Sequence, residues 1–170
     1  RWCERSCRGM ACAHARGVVH RDLKPGNVFI GEFGEVQIMD WGLAKTVKSS
    51  PPDFDEDPVA TGRQASGMNT MGGASAGTPA YMSPEMALGD AGKIGPASDI
   101  YLLGAILFEI LTGKRPHTGR NVYVCLAAAA ENFIQPVERK DDLLRVALKD
   151  MATEPEDSHA RVKALQEEIR

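Results

Sequence analysis

Residues 18–30, VVHRDLKPGNVFI, place His20, Arg21, Asp22, Lys24 and Asn27 within eight positions, between a short apolar pair and a second apolar run. A connection that only had to turn would use Gly, Ser or Asn, which bend the chain at little cost. This one gathers a carboxylate, two permanent cations, an imidazole and a carboxamide. Groups so unlike are what a reaction site needs: a proton acceptor, positive charge for an anion, and oxygen donors hard enough for a metal ion. A further acid, Asp40, follows in the stretch VQIMDWGLAK.

Apolar spacing indicates the elements that must hold this loop. A helix is expected from about residue 1 to 15, ending before Gly17, since glycine commonly follows a helix end. Cys3, Cys7, Met10, Ala11 and His14 recur at helical spacing and predict its core face. Cys3 and Cys7 therefore read as buried thiols; a zinc site would require a second pair at matching spacing. Val18–Val19 leads into the polar loop, and NVFI and VQIM read as strands of a hairpin turned by GEFGE. Residues 46–77 carry Pro51, Pro52, a run of acids over 53–57 and then GMNTMGGASAG, a long loop of the kind that is usually functional. SDIYLLGAILFEILTG is apolar almost all round, which predicts a helix buried on every side, beginning at Ser98–Asp99 and ending at Gly113. Amphipathic helices are expected over 121–131, 141–152 and 159–169, with Leu144, Ala147, Leu148 and Met151 forming the stripe of the second. The layout is α+β, with a mostly helical body.

The chain has 170 residues, 43% hydrophobic and 25% charged, the composition of one soluble globular domain. A net charge of −3 argues against a nucleic-acid partner, whose binding surfaces are basic. Ile100–Leu111, the longest strongly apolar stretch, is too short to span a bilayer. The opening RWCERSCRGM has no signal-peptide pattern, and with reduced thiols this predicts a cytoplasmic setting. The missing initiator Met suggests that the start has been cut away.

Three motifs stand in fixed order: HRDLKPGN at His20–Asn27, DWG at Asp40–Gly42 and GTPAYMSPE at Gly77–Glu85. Together they resemble a protein kinase of the bacterial Ser/Thr type, over essentially the whole chain but only over the larger C-terminal lobe of that fold. The resemblance implies a partial protein-kinase-like domain over 1–170: a catalytic loop at 18–30, a metal-binding turn at 40–42, an activation segment at 40–85 and a helical subdomain at 97–170. It implies ATP and Mg²⁺ as cofactors and a protein Ser/Thr hydroxyl as acceptor. Asp22 would be the catalytic carboxylate, Lys24 a point charge at the γ-phosphate, and Asn27 and Asp40 the metal ligands. His20 would pack on the metal-binding turn. Arg21 would meet a phosphate on Thr70 or Ser75, which otherwise are ordinary loop hydroxyls. Thr78 would touch the Asp22 region and the substrate. Asp99, in the first turn of the buried helix, would hold the catalytic-loop backbone, and Glu85 would take part in a structural ion pair.

The pattern departs from the family in four places. Trp41 replaces Phe in the metal-binding turn, and Leu102 replaces a small residue of the buried helix. Ser158 stands where Arg normally pairs with the acid at Glu85, so Arg161 is the expected substitute. Residues 1–19 contain no Lys and no Gly-rich loop, so the N-terminal lobe of a kinase is absent from this stretch. The glycines of 72–77 precede Thr78 without the Lys that a P-loop requires. Two function classes follow: an ATP-dependent Ser/Thr kinase represented by a piece inactive alone, or a pseudokinase-like or truncated module that binds a partner.

Overall fold

The computed structural model describes residues 2–47, 78–138 and 142–152. Thr70, Ser75, Ser158, Arg161 and the helix expected over 159–169 lie outside the described residues.

Helix α1, Trp2–Ala15, buries Cys3, Ser6, Cys7 and Met10, a stripe at i, i+3, i+4 and i+7. Gly17 follows in the left-handed region at φ 70°, and its N–H closes the helix on the His14 carbonyl at 2.9 Å. Cys3 and Cys7 are free thiols of this core face; contact with Cys3 and burial push the Cys7 thiol far up, so it stays protonated. Strand β1, Val18–Val19, next pairs antiparallel with β4, Lys45–Thr46, a pairing not anticipated from sequence. The expected hairpin forms from β2, Val28–Ile30, and β3, Val36–Ile38, in the register Val28↔Ile38, Phe29↔Gln37 and Ile30↔Val36. Gly34 makes its turn at φ 80°, a conformation a side chain would strain.

The helical body comprises α2, Pro84–Ala87; α3, Pro96–Thr112; α4, Val122–Ala130; and α5, Asp142–Asp150. Helix α3 is buried without a break from Ser98 to Phe108, as its all-round apolar sequence predicts. It begins two residues earlier than expected because Pro96 suits a first turn, where its missing N–H costs nothing. Gly113 ends it at φ 68°, donating to the Glu109 carbonyl at 2.7 Å. Leu102 is accommodated, at 2% exposure. At Gly104 the neighbouring helix comes so close that an added Cβ would lie 2.7 Å from the Asp150 Cβ and 3.0 Å from the Ala147 carbonyl oxygen. The core that α3 organises also takes in Leu23 from the polar loop and Ala80, Tyr81 and Met82 from the GTPAYMSPE stretch. These two anchors bring the motifs together. Among the described residues the fold is therefore mostly helical with two small strand pairs and no larger sheet, consistent with the C-terminal lobe of a kinase.

Candidate active site

Leu23 explains the posture of the polar loop. At 1% exposure it is driven into the core, worth about 1.5–3 kcal/mol for such a side chain, and its neighbours Asp22 and Lys24 are thereby fixed beside each other. Lys24 Nζ donates to Asp22 Oδ2 at 2.8 Å and to Thr78 Oγ1 at 3.1 Å. The Asn27 amide nitrogen donates to the Asp22 backbone carbonyl at 2.7 Å and to Oδ2 at 3.2 Å. Oδ2 is thus held twice, while Oδ1 accepts no bond from the described residues. Asp22 is 6% exposed, so its charge is compensated by Lys24 and by amide dipoles rather than by bulk water. Asn27, equally buried, has turned its nitrogen to Asp22, and its own Oδ1 remains for another ligand.

The Asp40–Gly42 turn is tied to this loop on both flanks of Asp40. The Asn27 carbonyl accepts from the Met39 N–H at 2.8 Å, and the Met39 carbonyl accepts from His20 Nε2 at 3.0 Å. His20 Nδ1 accepts from the Asp22 N–H at 3.3 Å, so the proton of this fully buried ring sits on Nε2. The same ring meets Trp41 edge to face at 4.6 Å. Trp41 thus fits the turn, and its indole N–H donates to the Ile38 carbonyl at 3.0 Å. On the other side Arg21 Nε donates to the Leu43 carbonyl at 2.6 Å. Burial pushes the Arg21 guanidinium below its ordinary range, and the charge of Asp99 opposes that shift.

Backbone strain concentrates here. Among the described residues three non-glycine residues have positive φ, and two are Arg21, at 68°, and Asp40, at 57°. A left-handed residue costs roughly 1–2 kcal/mol, so such conformations persist where surrounding bonds over-determine them. For Arg21 those bonds come from Asp99, which is fully buried in the first turn of α3. Its Oδ2 accepts from the His20 N–H at 2.8 Å and its Oδ1 from the Arg21 N–H at 2.9 Å. His14 of α1 adds a third donor, Nε2 to Oδ2 at 2.8 Å. The helical spacing of His14 marked it only as one of a core face, and nothing local signals a partner eighty-five residues away.

The segment after Thr78 is moored at three further points. The Ala80 carbonyl accepts from the His117 N–H at 3.2 Å, and the Tyr81 hydroxyl donates to Glu109 Oε2 at 2.7 Å. Ser98 Oγ donates to Glu85 Oε1 at 2.6 Å while accepting from the Gly95 N–H at 3.1 Å. Glu85 therefore has a hydroxyl partner in α3, which sequence reasoning missed while looking for an arginine. Phe29, Ile30, Phe33, Met39 and Trp41 leave an apolar face exposed around the hairpin and turn.

Asp22, Lys24, Asn27 and Thr78 thus share one bonded cluster, with His20, Arg21 and Asp99 behind it and Asp40 held between bonded neighbours. No group of three or more His, Cys, Asp or Glu side chains able to hold a metal occurs among the described residues, and no helix among them is long and apolar enough to cross a membrane. The oxygen donors that remain, the exposed carboxylate of Asp40 and Oδ1 of Asn27, suit Mg²⁺, which takes few protein ligands and retains water.

Comparison with known proteins agrees with this arrangement. The family model described as "Protein kinase domain" matches residues 1–165. The serine/threonine-protein kinase PknD of Protochlamydia amoebophila is 47% identical over 112 residues, covering 65% of this chain and 11% of the relative. PknD of Chlamydia felis is 36% identical over 96% of this chain and 18% of its own length. The serine/threonine-protein kinase PknB of Mycobacterium tuberculosis is 33% identical over 91% of this chain and 23% of its own length. The chain spans less than a quarter of any of these three relatives. With the family model matching nearly its whole length, the chain belongs to the protein kinase domain family, and its relatives include bacterial PknB and PknD.

Proposed function

We propose that these residues form the catalytic-loop side of a Ser/Thr protein kinase cleft. The polypeptide that completes the cleft transfers the γ-phosphoryl of ATP to a protein hydroxyl in the cytoplasm, and the 170 residues alone are inactive. The observation that carries this reading is the clamp on Asp22: Oδ2 is fixed by Lys24 and Asn27, leaving Oδ1 as the acceptor. In the reaction the Ser or Thr oxygen bonds to the γ-phosphorus, its proton passes to Asp22 Oδ1, and the bond to the bridging β–γ oxygen breaks to leave ADP. Lys24, already between Asp22 and Thr78, places positive charge where the transferred group carries its negative charge. Thr78 orients the incoming hydroxyl. Asn27 and Asp40 would hold Mg²⁺, which supplies charge neutralisation beside the triphosphate. The part of the Arg21 guanidinium not used by Leu43 is the site for a phosphate on Thr70 or Ser75.

A second reading, a non-catalytic module that docks a partner, is favoured by the exposed apolar hairpin face, where Phe33 stands 89% exposed, and by the lack of a three-ligand metal cluster among the described residues. Asp22→Asn separates the two. In the natural full-length polypeptide, transfer of labelled phosphate from ATP to a protein substrate should fall by about 10²–10⁴-fold, the range for losing a general base. Equal signal from wild type and D22N would overturn the catalytic reading. Brisk Asp22-dependent transfer by the 170 residues alone would show that they need no completing lobe.

A further inference from the structure

We propose that His117 is a positioning residue for the segment after Thr78, and that a proton taken up by its ring tightens its hold on that segment. The basis is a shortage of protons in a buried chain of hydrogen bonds. The chain runs from the Phe133 carbonyl through the His117 ring, the Tyr101 hydroxyl and the Asn132 carboxamide to the Met151 carbonyl. Phe133 O lies 3.0 Å from His117 Nδ1, and His117 Nε2 lies 2.8 Å from the Tyr101 oxygen. Tyr101 is 2.6 Å from Asn132 Oδ1, and Asn132 Nδ2 is 2.9 Å from Met151 O. Each of these four contacts needs one proton. Both ends are carbonyls, which only accept. The Met151 end therefore fixes Asn132 Nδ2, and Oδ1 claims the proton of Tyr101. Burial first and the charge of Glu85 second push that hydroxyl far up, so it keeps its one proton. The Phe133 end claims a proton on Nδ1. A neutral imidazole has no second proton for the contact between Nε2 and Tyr101; an imidazolium has one.

With a neutral ring, one contact sets lone pair against lone pair, which a buried network tolerates poorly. When Nε2 gains a proton from solvent it donates to Tyr101, whose own proton goes to Asn132, and the chain closes. His117 carries this change to the segment after Thr78. Its N–H donates to the Ala80 carbonyl at 3.2 Å, and its ring is bonded to the Met82 carbonyl. Thr78, two residues before Ala80, accepts from Lys24 at 3.1 Å. Around His117, α3 presents Tyr101, α4 presents Cys125, whose Sγ donates to the His117 carbonyl at 3.5 Å, and α2 presents Glu85, whose charge acts on Tyr101. Arg115 of the same loop acts on Cys125 and lies 3.8 Å from Glu109, while Asp150 at the end of α5 acts on Cys7. Burial pushes the ring below the ordinary histidine range, and the Phe133 and Met82 carbonyls pull it back up. A detached segment takes the Met82 carbonyl away, so the attached form binds the proton more tightly. Attachment is thus firmer below the ring's midpoint and loosens as pH rises through it. The activity consequence rests on the proposed kinase function; the structural consequence does not.

Two variants of the natural full-length polypeptide test this. Tyr101→Phe removes the oxygen that accepts from the charged ring. His117→Phe keeps an aromatic ring and the N–H to Ala80 but binds no proton. Exchange of the imidazole C2 hydrogen, followed by mass spectrometry against pH, reads the midpoint of His117. It should lie below about 6.5 in wild type and about one unit lower in Y101F, a tenfold loss of proton affinity for losing a bond to a charged donor. Amide exchange over residues 78–82, corrected for its intrinsic pH dependence, should slow on the order of fivefold as pH falls through that midpoint. The step should move with the midpoint in Y101F and vanish in H117F. The KM for the protein acceptor should fall by a similar factor over the same range in wild type and stay flat in H117F, with the nucleotide KM within about twofold. A midpoint unmoved by Y101F, or an amide step that survives in H117F, would overturn the positioning role. Should either variant lose protection throughout α3, the wild-type profiles decide: coincident ring and amide midpoints uphold the role, and separate ones sink it. Coincident midpoints in a polypeptide without transfer activity would uphold the role of His117 and count against the kinase reading. Active enzyme whose 78–82 amides ignore the ring would do the reverse.

Discussion

Gly104→Ala sets two opposed effects against each other at the contact that holds the helical body together. An alanine in a helix interior is more favourable than glycine by about 1 kcal/mol, so propensity alone predicts stabilisation. The space does not allow it. The new Cβ would stand 2.7 Å from the Asp150 Cβ, 3.0 Å from the Ala147 carbonyl oxygen and 3.2 Å from the Met151 Cγ. Carbon atoms in contact prefer about 3.5–4.0 Å. Met151 is the end of a flexible side chain and can give way, but the other two atoms move only with α5, which must retreat by roughly an ångström. Overpacking a close core contact costs about 1–3 kcal/mol, and a rigid helical neighbour puts this site toward the upper end. The net expectation is a loss of about 1–2 kcal/mol after the propensity gain is set against it. Native-state hydrogen exchange should show reduced protection in both α3 and α5, and urea unfolding a lower midpoint. Gly113→Ala is the control: a Cβ there meets nothing within 4 Å, but φ is 68°, so the cost is backbone strain of about 1–2 kcal/mol with no selective loss of protection in α5. A midpoint raised by G104A, or the same exchange pattern from both variants, would refute the steric reasoning.

Leu23→Ala should destabilise the chain by about 2–5 kcal/mol in thermal or chemical unfolding, because the side chain is fully buried and its loss leaves a cavity under the loop; a cost below about 1 kcal/mol would mean that Leu23 does not anchor it. Tyr81 has its hydroxyl pushed up to about 12 by burial first and by Glu109 second. Its raised folded value means that the neutral form is favoured by folding, so the associated stability is complete below about pH 10 and disappears as pH climbs toward 12. Tyr81→Phe should flatten that alkaline stability loss and remove one late component from the phenolate absorbance titration; an unchanged titration would place the Tyr81 hydroxyl in water.

The parts of this fold that were legible in the sequence are those whose physics is local. The all-round apolar run of α3 could only be buried, and GEFGE between two apolar runs could only turn a hairpin. HRDLKPGN announced itself because no ordinary turn needs such a mixture, with Leu23 in its midst supplying the anchor. The pairings that escaped are short or distant. Two-residue strands such as Val18–Val19 and Lys45–Thr46 have too little alternation to carry a period, and their register is fixed only once both chain segments leave the core at the same place. For Glu85 the family resemblance pointed to an arginine, with Arg161 as the substitute outside the described residues; the serine hydroxyl that the first turn of α3 supplies at 2.6 Å has no signal of its own in the sequence.

Asp99 shows why the site itself was only half readable. An acid at a helix start has a sufficient local reason to be there, the positive end of the helix, and only the family resemblance pointed to a second, the hold on the loop backbone. The residue is buried completely, which a solvated helix-end acid would not require. A buried carboxylate is costly unless donors surround it, and the three it finds come from α1 and from two consecutive loop amides. The helix that forms the centre of the core is thus also the element against which the His20–Asn27 loop is aligned. Packing defects in α3 should therefore be felt at the loop through Asp99. The Gly104→Ala variant tests this as well. If G104A displaces α3 as well as α5, exchange at the His20 and Arg21 amides should quicken along with that of the helices. If α5 alone retreats, those two amides should keep their protection while α5 loses its own.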